Sequence, residues 1–257
     1  MYKIESRLYE QLCLLRDRFS LCGIKAEFEA EGSSFRDIVR LRRLTQKANV
    51  ALFLKIGGVE ALRDLKDSLE IGVDGVIAPM VESEFGAKKF YDSVQKIYKD
   101  SRIFTTLNIE TRTSIDNARA IMAFAYKKFD SITIGRSDLS ASYFDQKIKP
   151  DSDFIFSLLE NLASLSLEFD LPIAVGGGLS ATTLHKFNTE FSHLAQKFAK
   201  LETRKVILPA SVFLSSPNAL KEALIFEELY ILSKKEFSDL HIDSEITRLT
   251  ELQRRIL

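Results

Sequence analysis

Two carboxylates, Glu110 and Asp138, each follow an apolar run that is rich in β-branched residues. The first run, 102–110, ends in Glu110, and the second, 130–135, is followed closely by Asp138. Residues 114–126 between them carry apolar side chains at helical spacing. Asp138 lies 28 residues after Glu110, which suits one strand–helix–strand unit with parallel strands. We therefore expect both acids at neighbouring strand ends, facing one pocket; the alternative is that each caps the helix that follows it.

A pair of acids in this position suggests metal chemistry. The carboxyl ends of parallel strands are where α/β barrels place their active sites. Ligands that are all oxygen suit a hard cation such as Mg²⁺.

Three stretches around these acids resemble motifs of the HpcH/HpaI aldolase and citrate lyase β-subunit family. They are IAPMVESEFGAKKF at 77–90, IETRTSIDNARAI at 109–121 and ITIGRSDLSAS at 132–142, and the resemblance runs in matching order from Gly23 to Leu179. In that family the Glu of an "ET" motif and the Asp of a "G-x-x-D-L" motif bind Mg²⁺ or Mn²⁺, which chelates a 2-oxo acid or a related carboxylate. The resemblance implies that Glu110 and Asp138 are metal ligands. It also implies a metal-dependent carbon–carbon lyase or aldolase that acts through an enolate on a small-molecule carboxylate.

Lys55 ends the strand-like run LFLK, where members of this family usually carry an arginine that binds the substrate carboxylate and stabilises the enolate oxygen. Lysine keeps the positive charge but loses the two-pronged geometry of arginine, so we expect it to act as a point charge. We assign Lys55 to both catalysis and substrate binding. The alternative is a lysine that extends from a strand end into solvent.

Glu27, Glu29 and Glu31 alternate along FEAEG and share one face if the strand persists through them. The aldolase branch of the family has a "D-x-E-H" pattern in this region, and its catalytic histidine is missing here. Glu31 stands nearest to that place, so Glu31 and Glu27 are our candidates for the acid–base group.

Further residues could bind substrate. Asn108 alternates with Glu110, and Arg136 and Arg112 could hold a carboxylate or a phosphate, with a salt bridge to Glu82 or Glu84 as the alternative for either arginine. The backbone amides of a glycine triplet could cradle phosphate, although the glycines could equally serve only to let the backbone pass close to the substrate. The triplet consists of Gly176, Gly177 and Gly178. These features keep two other functions open, a barrel enzyme for a phosphorylated substrate and a catalytically degenerate scaffold of the same family.

Alternating strand-like and helix-like segments predict an α/β fold, a TIM-type (β/α) barrel formed as one domain over residues 1–257, with an N-terminal helix and a C-terminal helical extension. Seven strands are clear, and comparison with the family implies that the first strand is missing or irregular. The predicted strands are 24–30, 50–56, 75–80, 102–110, 130–135, 171–175 and 205–210. The predicted helices include 2–19, 181–199, 217–237 and 242–257, with a break between the last two.

Composition excludes several classes of protein. Lys plus Arg and Asp plus Glu both number 36, so the formal net charge is zero and nothing suggests a nucleic-acid or membrane partner. The two cysteines, Cys13 and Cys22, form no metal-binding or disulfide pattern. The amino-terminal residues lack a signal-peptide core, so we expect a cytoplasmic enzyme. The resemblance also implies a homo-oligomer, since members of that family often assemble through their carboxy-terminal helices. An apolar face in the last helical region agrees with this, namely Leu220, Leu224, Leu229 and Leu232.

Overall fold

Eight strands form a closed barrel in the computed structural model, which describes residues 2–99 and 101–256. Neighbouring strands from β1 to β7 pair in parallel, whereas β8 is antiparallel to both β7 and β1. The strands are β1 Gly23–Glu27, β2 Leu52–Lys55, β3 Gly75–Ala78, β4 Phe104–Ile109, β5 Ser131–Gly135, β6 Ile173–Gly176, β7 Lys200–Glu202 and β8 Val206–Pro209. The predicted TIM-type barrel is therefore confirmed.

The expectation of a missing or irregular first strand was wrong, because eight strands close the ring. The strand predicted at 205–210 exists as β8, but it runs antiparallel and lies beside β1. It follows β7 after only three residues, 203–205, and so short a connection can join antiparallel strands only. Thr203 fixes this turn, since its hydroxyl accepts hydrogen bonds from the main-chain nitrogens of Lys205 and Val206. A hairpin between β7 and β8 thus completes the barrel.

Helices surround the strands and bury their apolar faces against the barrel. The core contains residues such as Leu12, Ile38, Phe90, Ile121 and Phe156, all at most 1% exposed. The helices are α1 Lys3–Phe19, α2 Phe35–Lys47, α3 Leu62–Ile71, α4 Glu84–Tyr98, α5 Arg112–Asp116, α6 Ala118–Ala125, α7 Arg136–Ala141, α8 Asp153–Glu168, α9 Ala181–Asn188, α10 Ser192–Ala195, α11 Ala210–Ser215 and α12 Ala219–Ile256.

Two helical regions differ from the sequence prediction. The helix predicted over 181–199 is divided into α9 and α10. The two helices predicted at the carboxyl end form one continuous helix, α12, because the polar residues near 240 interrupt the apolar pattern but not the backbone. The first part of α12 packs against α1, where Gln11 donates hydrogen bonds to the main-chain and side-chain oxygens of Glu222.

The amino-terminal end of the barrel is filled by a small apolar cluster of Phe53, Ile77 and Ile207. The ring of Phe53 lies against two glycines, since a Cβ atom at Gly23 or Gly75 would lie within 2.4 Å of it. Glycine at the start of these two strands therefore makes room for the ring of Phe53, which closes this end of the barrel. The opposite end of the barrel is open and lined by polar side chains.

None of the helices in the described part of the chain is long and apolar enough to cross a membrane.

Candidate active site

A cavity of about 490 Å³ opens at the carboxyl ends of the parallel strands. Its walls come from strand ends, from the loops after β5, β6 and β7, and from α12. The lining residues that bear on chemistry are Lys25, Glu27, Lys55, Asn108, Glu110, Thr133, Ser137, Asp138, Gly176, Gly177, Gly178, Glu202, Arg204 and Glu227. Most of the residues proposed from the sequence thus line one cavity.

Glu110 directly follows β4 and is 2% exposed. Its Oε1 accepts the main-chain N–H of Met80 at 2.9 Å, and its Oε2 accepts an N–H of Asn108 at 3.0 Å. A Cβ atom at Gly135 would lie 2.4 Å from Oε2, so glycine at the end of β5 makes room for the carboxylate. Burial raises the pKa of Glu110 and outweighs the opposing charge of Lys55, and the charge of Asp138 raises the pKa further.

Asp138 lies in the first turn of α7 and faces the same cavity. Its carboxylate is exposed and forms no hydrogen bond or ion pair with any other described residue. Its charge nonetheless acts on Glu110 across the cavity. The pairing of the two acids, which was inferred from their spacing, is therefore observed.

The two acids could serve as ligands of a divalent cation. No group of three or more His, Cys, Asp or Glu side chains within residues 2–99 and 101–256 is placed to hold a metal. Mg²⁺, however, often binds through only one or two carboxylates and completes its coordination with water and substrate oxygens. Asn108 adds a further oxygen donor, because its Oδ1 is buried without a hydrogen-bond partner in the described residues. The donor set thus fits Mg²⁺ or Mn²⁺ and does not fit a closed structural metal site.

Lys55 points into the cavity at the end of β2, as the sequence suggested. Its Nζ lies 2.9 Å from Oε2 of Glu29 and 3.4 Å from Oε1 of Glu110. Burial alone would lower the pKa of Lys55, but the charges of Glu110 and Glu29 outweigh it, so the pKa lies above its ordinary value. The side chain is therefore a buried ammonium ion.

The three acids after Lys25 do not share one strand face, because β1 ends at Glu27. Glu27 lines the cavity, with its Oε2 3.8 Å from Nη2 of Arg204. Glu29 lies in the following turn beside Lys55, and Glu31 is held by Lys205 and Arg204 outside the cavity lining. Of the two acid–base candidates, only Glu27 faces the cavity.

Arg136 is not available for the substrate contact that the sequence suggested. Its side chain is 0% exposed, and Nη1 donates to Oδ1 of Asp151 at 2.7 Å and to the carbonyl oxygen of Pro150 at 3.2 Å. Nε donates to the carbonyl oxygen of Gly176, and Nη2 donates to the hydroxyl of Thr183. This arginine ties the loop before α8 to the ends of β5 and β6.

Arg112 also lies away from the cavity lining. Its side chain is exposed and its guanidinium lies 6.0 Å from the ring of Tyr143. The alternative of a salt bridge to Glu82 or Glu84 is not observed for either arginine in the described residues.

The glycine triplet after β6 does line the cavity. Gly177 and Gly178 have positive φ angles, of 77° and 68°. A Cβ atom at Gly177 would lie 2.5 Å from the main-chain nitrogen of Ser137. Glycine is therefore required for the close approach of this loop to α7.

A buried ion pair between Lys25 and Glu202 at the cavity floor was not anticipated. The Nζ of Lys25 lies 2.7 Å from Oε2 of Glu202, across the intervening strand β8, and Oε1 accepts a long 3.4 Å hydrogen bond from Thr133. The sequence could have predicted that Lys25 points into the barrel, because Lys25 and Glu27 are two residues apart on one strand and so lie on the same face. Glu202 carried no such signal, because β7 is only three residues long.

Part of the chain is similar to one known protein family. Residues 35–157 match the model of the HpcH/HpaI aldolase/citrate lyase family. No curated protein sequence matches the chain.

Solved structures share the fold. An HpcH/HpaI aldolase from Desulfitobacterium hafniense DCB-2 is 16% identical with a TM-score of 0.60, over 76% of this chain and 82% of that one. An HpcH/HpaI aldolase/citrate lyase family protein from Burkholderia cenocepacia J2315 is 12% identical with a TM-score of 0.58, over 71% and 79%. The citrate synthase SbnG is 14% identical with a TM-score of 0.56, over 71% and 78%. The segment that matches the family model contains Lys55, Glu110 and Asp138.

Proposed function

We propose that this protein is a divalent-metal-dependent carbon–carbon lyase or aldolase that acts through the enolate of a 2-oxo acid or a related carboxylate. The observation that carries the proposal is that Glu110 and Asp138 face one cavity beside the ammonium group of Lys55, in a segment that matches the family model. Glu110 and Asp138 would hold Mg²⁺ or Mn²⁺, with Asn108 oriented toward the same carboxylate.

The charge of the cavity supports a divalent cation. Five carboxylates and three cationic side chains line it, which gives a formal charge of −2. A cavity of this charge would repel an anionic substrate, whereas a bound divalent cation would neutralise it. The carboxylates are Glu27, Glu110, Asp138, Glu202 and Glu227, and the cations are Lys25, Lys55 and Arg204.

The side chains have distinct roles in this proposal. A bound divalent metal would supply Lewis-acid stabilisation of the enolate. Lys55 places its ammonium where negative charge develops on the substrate oxygen. Because the charges of Glu110 and Glu29 keep Lys55 protonated, it acts as a cation and not as the nucleophile of a Schiff base.

Glu27 is the acid–base group in this proposal. When the carbon–carbon bond of an aldol breaks, its electron pair passes into the enolate, and the hydroxyl of the departing fragment loses a proton. Glu27 lines the cavity and accepts that proton, and Arg204 stands beside it to balance its charge. The departing fragment leaves as a carbonyl compound, and Glu27 gives the proton to the enolate carbon, which yields the 2-oxo acid and restores the carboxylate.

The alternative of a phosphorylated substrate has lost one of its two supports, because Arg136 is buried in an ion pair with Asp151, whereas the glycine triplet still lines the cavity. The scaffold alternative predicts an intact fold that binds no divalent metal, and the experiment below distinguishes it from an enzyme.

Proton exchange of pyruvate and 2-oxobutyrate in D₂O, followed by NMR with Mg²⁺ or Mn²⁺, tests the proposal. We expect exchange by the wild type that requires metal and is lost in Glu110→Gln and in Asp138→Asn. Asp92→Asn, which replaces an exposed acid on α4, is the control. Absence of exchange and of metal binding in folded wild type would contradict the proposal.

We also propose that the protein forms a homo-oligomer through α12. The apolar face suggested by the sequence divides in the structure, because Leu229 is buried against the barrel whereas Leu224 and Leu232 are 46% and 41% exposed. Farther along α12, Ile246 and Leu249 lie on one exposed face. We expect Ile246→Asp with Leu249→Asp to lower the mass measured by light scattering to that of a monomer, and an unchanged mass would contradict this.

A further inference from the structure

We infer that Glu29 is a positioning residue that draws the ammonium of Lys55 away from Glu110 and thereby controls how tightly the site binds a divalent metal. The inference rests on the proposed metal site. It concerns a carboxylate outside the cavity lining, and it assigns Lys55 the additional role of an exchangeable counter-ion.

The distances show that Lys55 is shared between two carboxylates. Its Nζ lies 2.9 Å from Oε2 of Glu29 and 3.4 Å from Oε1 of Glu110. All three side chains are largely buried, with exposed fractions of 11% for Lys55, 20% for Glu29 and 2% for Glu110. An ammonium in this position occupies part of the coordination space that a metal on Glu110 would need.

The oxygen atoms of Glu110 have little free capacity. A carboxylate oxygen offers about two lone-pair positions. At Oε1, the N–H of Met80 takes one of them and the ammonium of Lys55 lies 3.4 Å away, and at Oε2 the amide of Asn108 takes one. A metal that binds through Oε1 must therefore displace Lys55.

Glu29 is placed to receive the displaced ammonium. Apart from Lys55, its carboxylate has no hydrogen-bond or ion-pair partner among the described residues, and its buried Oε2 accepts no hydrogen bond. The main-chain N–H of Phe28 donates to the carbonyl oxygen of Lys55 at 2.9 Å, which fixes the turn that carries Glu29 beside the end of β2. The flexible stem of lysine allows such a shift, whereas the rigid fork of arginine would favour one fixed geometry.

Titration with Mn²⁺ alone, followed by calorimetry, tests the inference. Partners of metal ligands typically change metal affinity by about 10-fold to 100-fold. We expect Glu29→Gln to weaken Mn²⁺ binding by about 10-fold, because Lys55 then rests entirely on Glu110. Lys55→Met should strengthen binding, because it removes the competing cation. Glu29→Asp should restore part of the affinity.

The double variant Glu29→Gln/Lys55→Met separates this role from a general effect of charge. If Glu29 acts through Lys55, the double variant binds Mn²⁺ as tightly as Lys55→Met alone. Glu60→Gln is the control, since Glu60 forms an ion pair of the same 2.9 Å length with Lys89 on the surface. Its Mn²⁺ affinity should match that of the wild type.

Four results would overturn the inference. The first is an unchanged Mn²⁺ affinity in Glu29→Gln. The second is a loss of Mn²⁺ affinity on Glu29→Gln that is equally large in the Lys55→Met background. In both cases the proposed metal site would stand. Failure of folded wild type to bind Mn²⁺, or binding that survives Glu110→Gln, would overturn the inference together with the proposed function.

Discussion

Replacing Arg136 with methionine should destabilise the barrel without altering binding of the proposed substrate. Arg136 is the largest completely buried side chain among the described residues, and its guanidinium donates four hydrogen bonds. Arg136→Met would leave the carboxylate of Asp151 and two carbonyl oxygens without this cation. Removing one partner of a buried ion pair typically costs about 3–5 kcal/mol.

The low end of this range, about 3 kcal/mol, applies here, because the carboxylate left behind, that of Asp151, is 24% exposed and keeps hydrogen bonds from the hydroxyls of Ser180 and Thr183. With a urea slope of about 3 kcal/mol/M, the unfolding midpoint should fall by about 1 M. Urea unfolding followed by circular dichroism measures the midpoint. Arg119→Met is the control, because Arg119 pairs with Glu168 on the surface and exposed pairs contribute little.

A wild-type midpoint in Arg136→Met would contradict this structural role of Arg136. A normal midpoint together with a raised KM would restore the substrate-binding role that the sequence suggested for this arginine.

Three further outcomes follow from the structure. Gly177→Ala should destabilise the protein by about 1–3 kcal/mol or more, because the residue has a φ of 77° and its new Cβ would meet main-chain atoms of α7. Gly58 has open space around it, so Gly58→Ala should leave the stability unchanged. Thermal unfolding of the two variants compares these effects. The pKa of Asp151 lies below its ordinary value, because hydrogen bonds from hydroxyl groups and the nearby guanidinium of Arg136 outweigh the opposite effect of burial. This carboxylate therefore contributes stability above about pH 4, and that stability is lost as the pH falls through the folded pKa. Urea midpoints of wild type and Asp151→Asn should therefore converge toward low pH, and a constant difference would contradict this. Glu202→Gln should lower the unfolding midpoint at pH 7 by leaving the ammonium of Lys25 buried and unpaired, and a second substitution, Lys25→Met, should restore much of it.

Local patterns were sufficient to predict the elements that carry the acids. The apolar run before Glu110 became β4 and the run before Asp138 led into β5 and α7, because strand and helix periodicities are encoded over short distances. The short crossover length then placed the two acids on one side of the sheet. Lys55 reached the same cavity for the same reason, since it ends a strand parallel to β4.

Features that depend on distant parts of the chain were not predictable from these patterns. The burial of Arg136 requires Asp151, which the loop before α8 brings back beneath β6. The pair of Lys25 and Glu202 forms only because β8 inserts between β1 and β7. A three-residue strand such as β7 is too short to show an alternation of apolar and polar residues. The sequence therefore did not predict the hairpin of β7 and β8 or the ion pair that Glu202 forms beside it.

Electron paramagnetic resonance of Mn²⁺ with ¹⁷O-labelled pyruvate tests the central claim most directly, namely that Glu110 and Asp138 hold a divalent cation that contacts a 2-oxo acid. The labelled carboxylate and keto oxygens should broaden the Mn²⁺ lines of the wild-type complex relative to unlabelled pyruvate. Glu110→Gln and Asp138→Asn should abolish the bound Mn²⁺ signal. Bound Mn²⁺ without broadening, or a bound signal that survives both substitutions, would contradict the account.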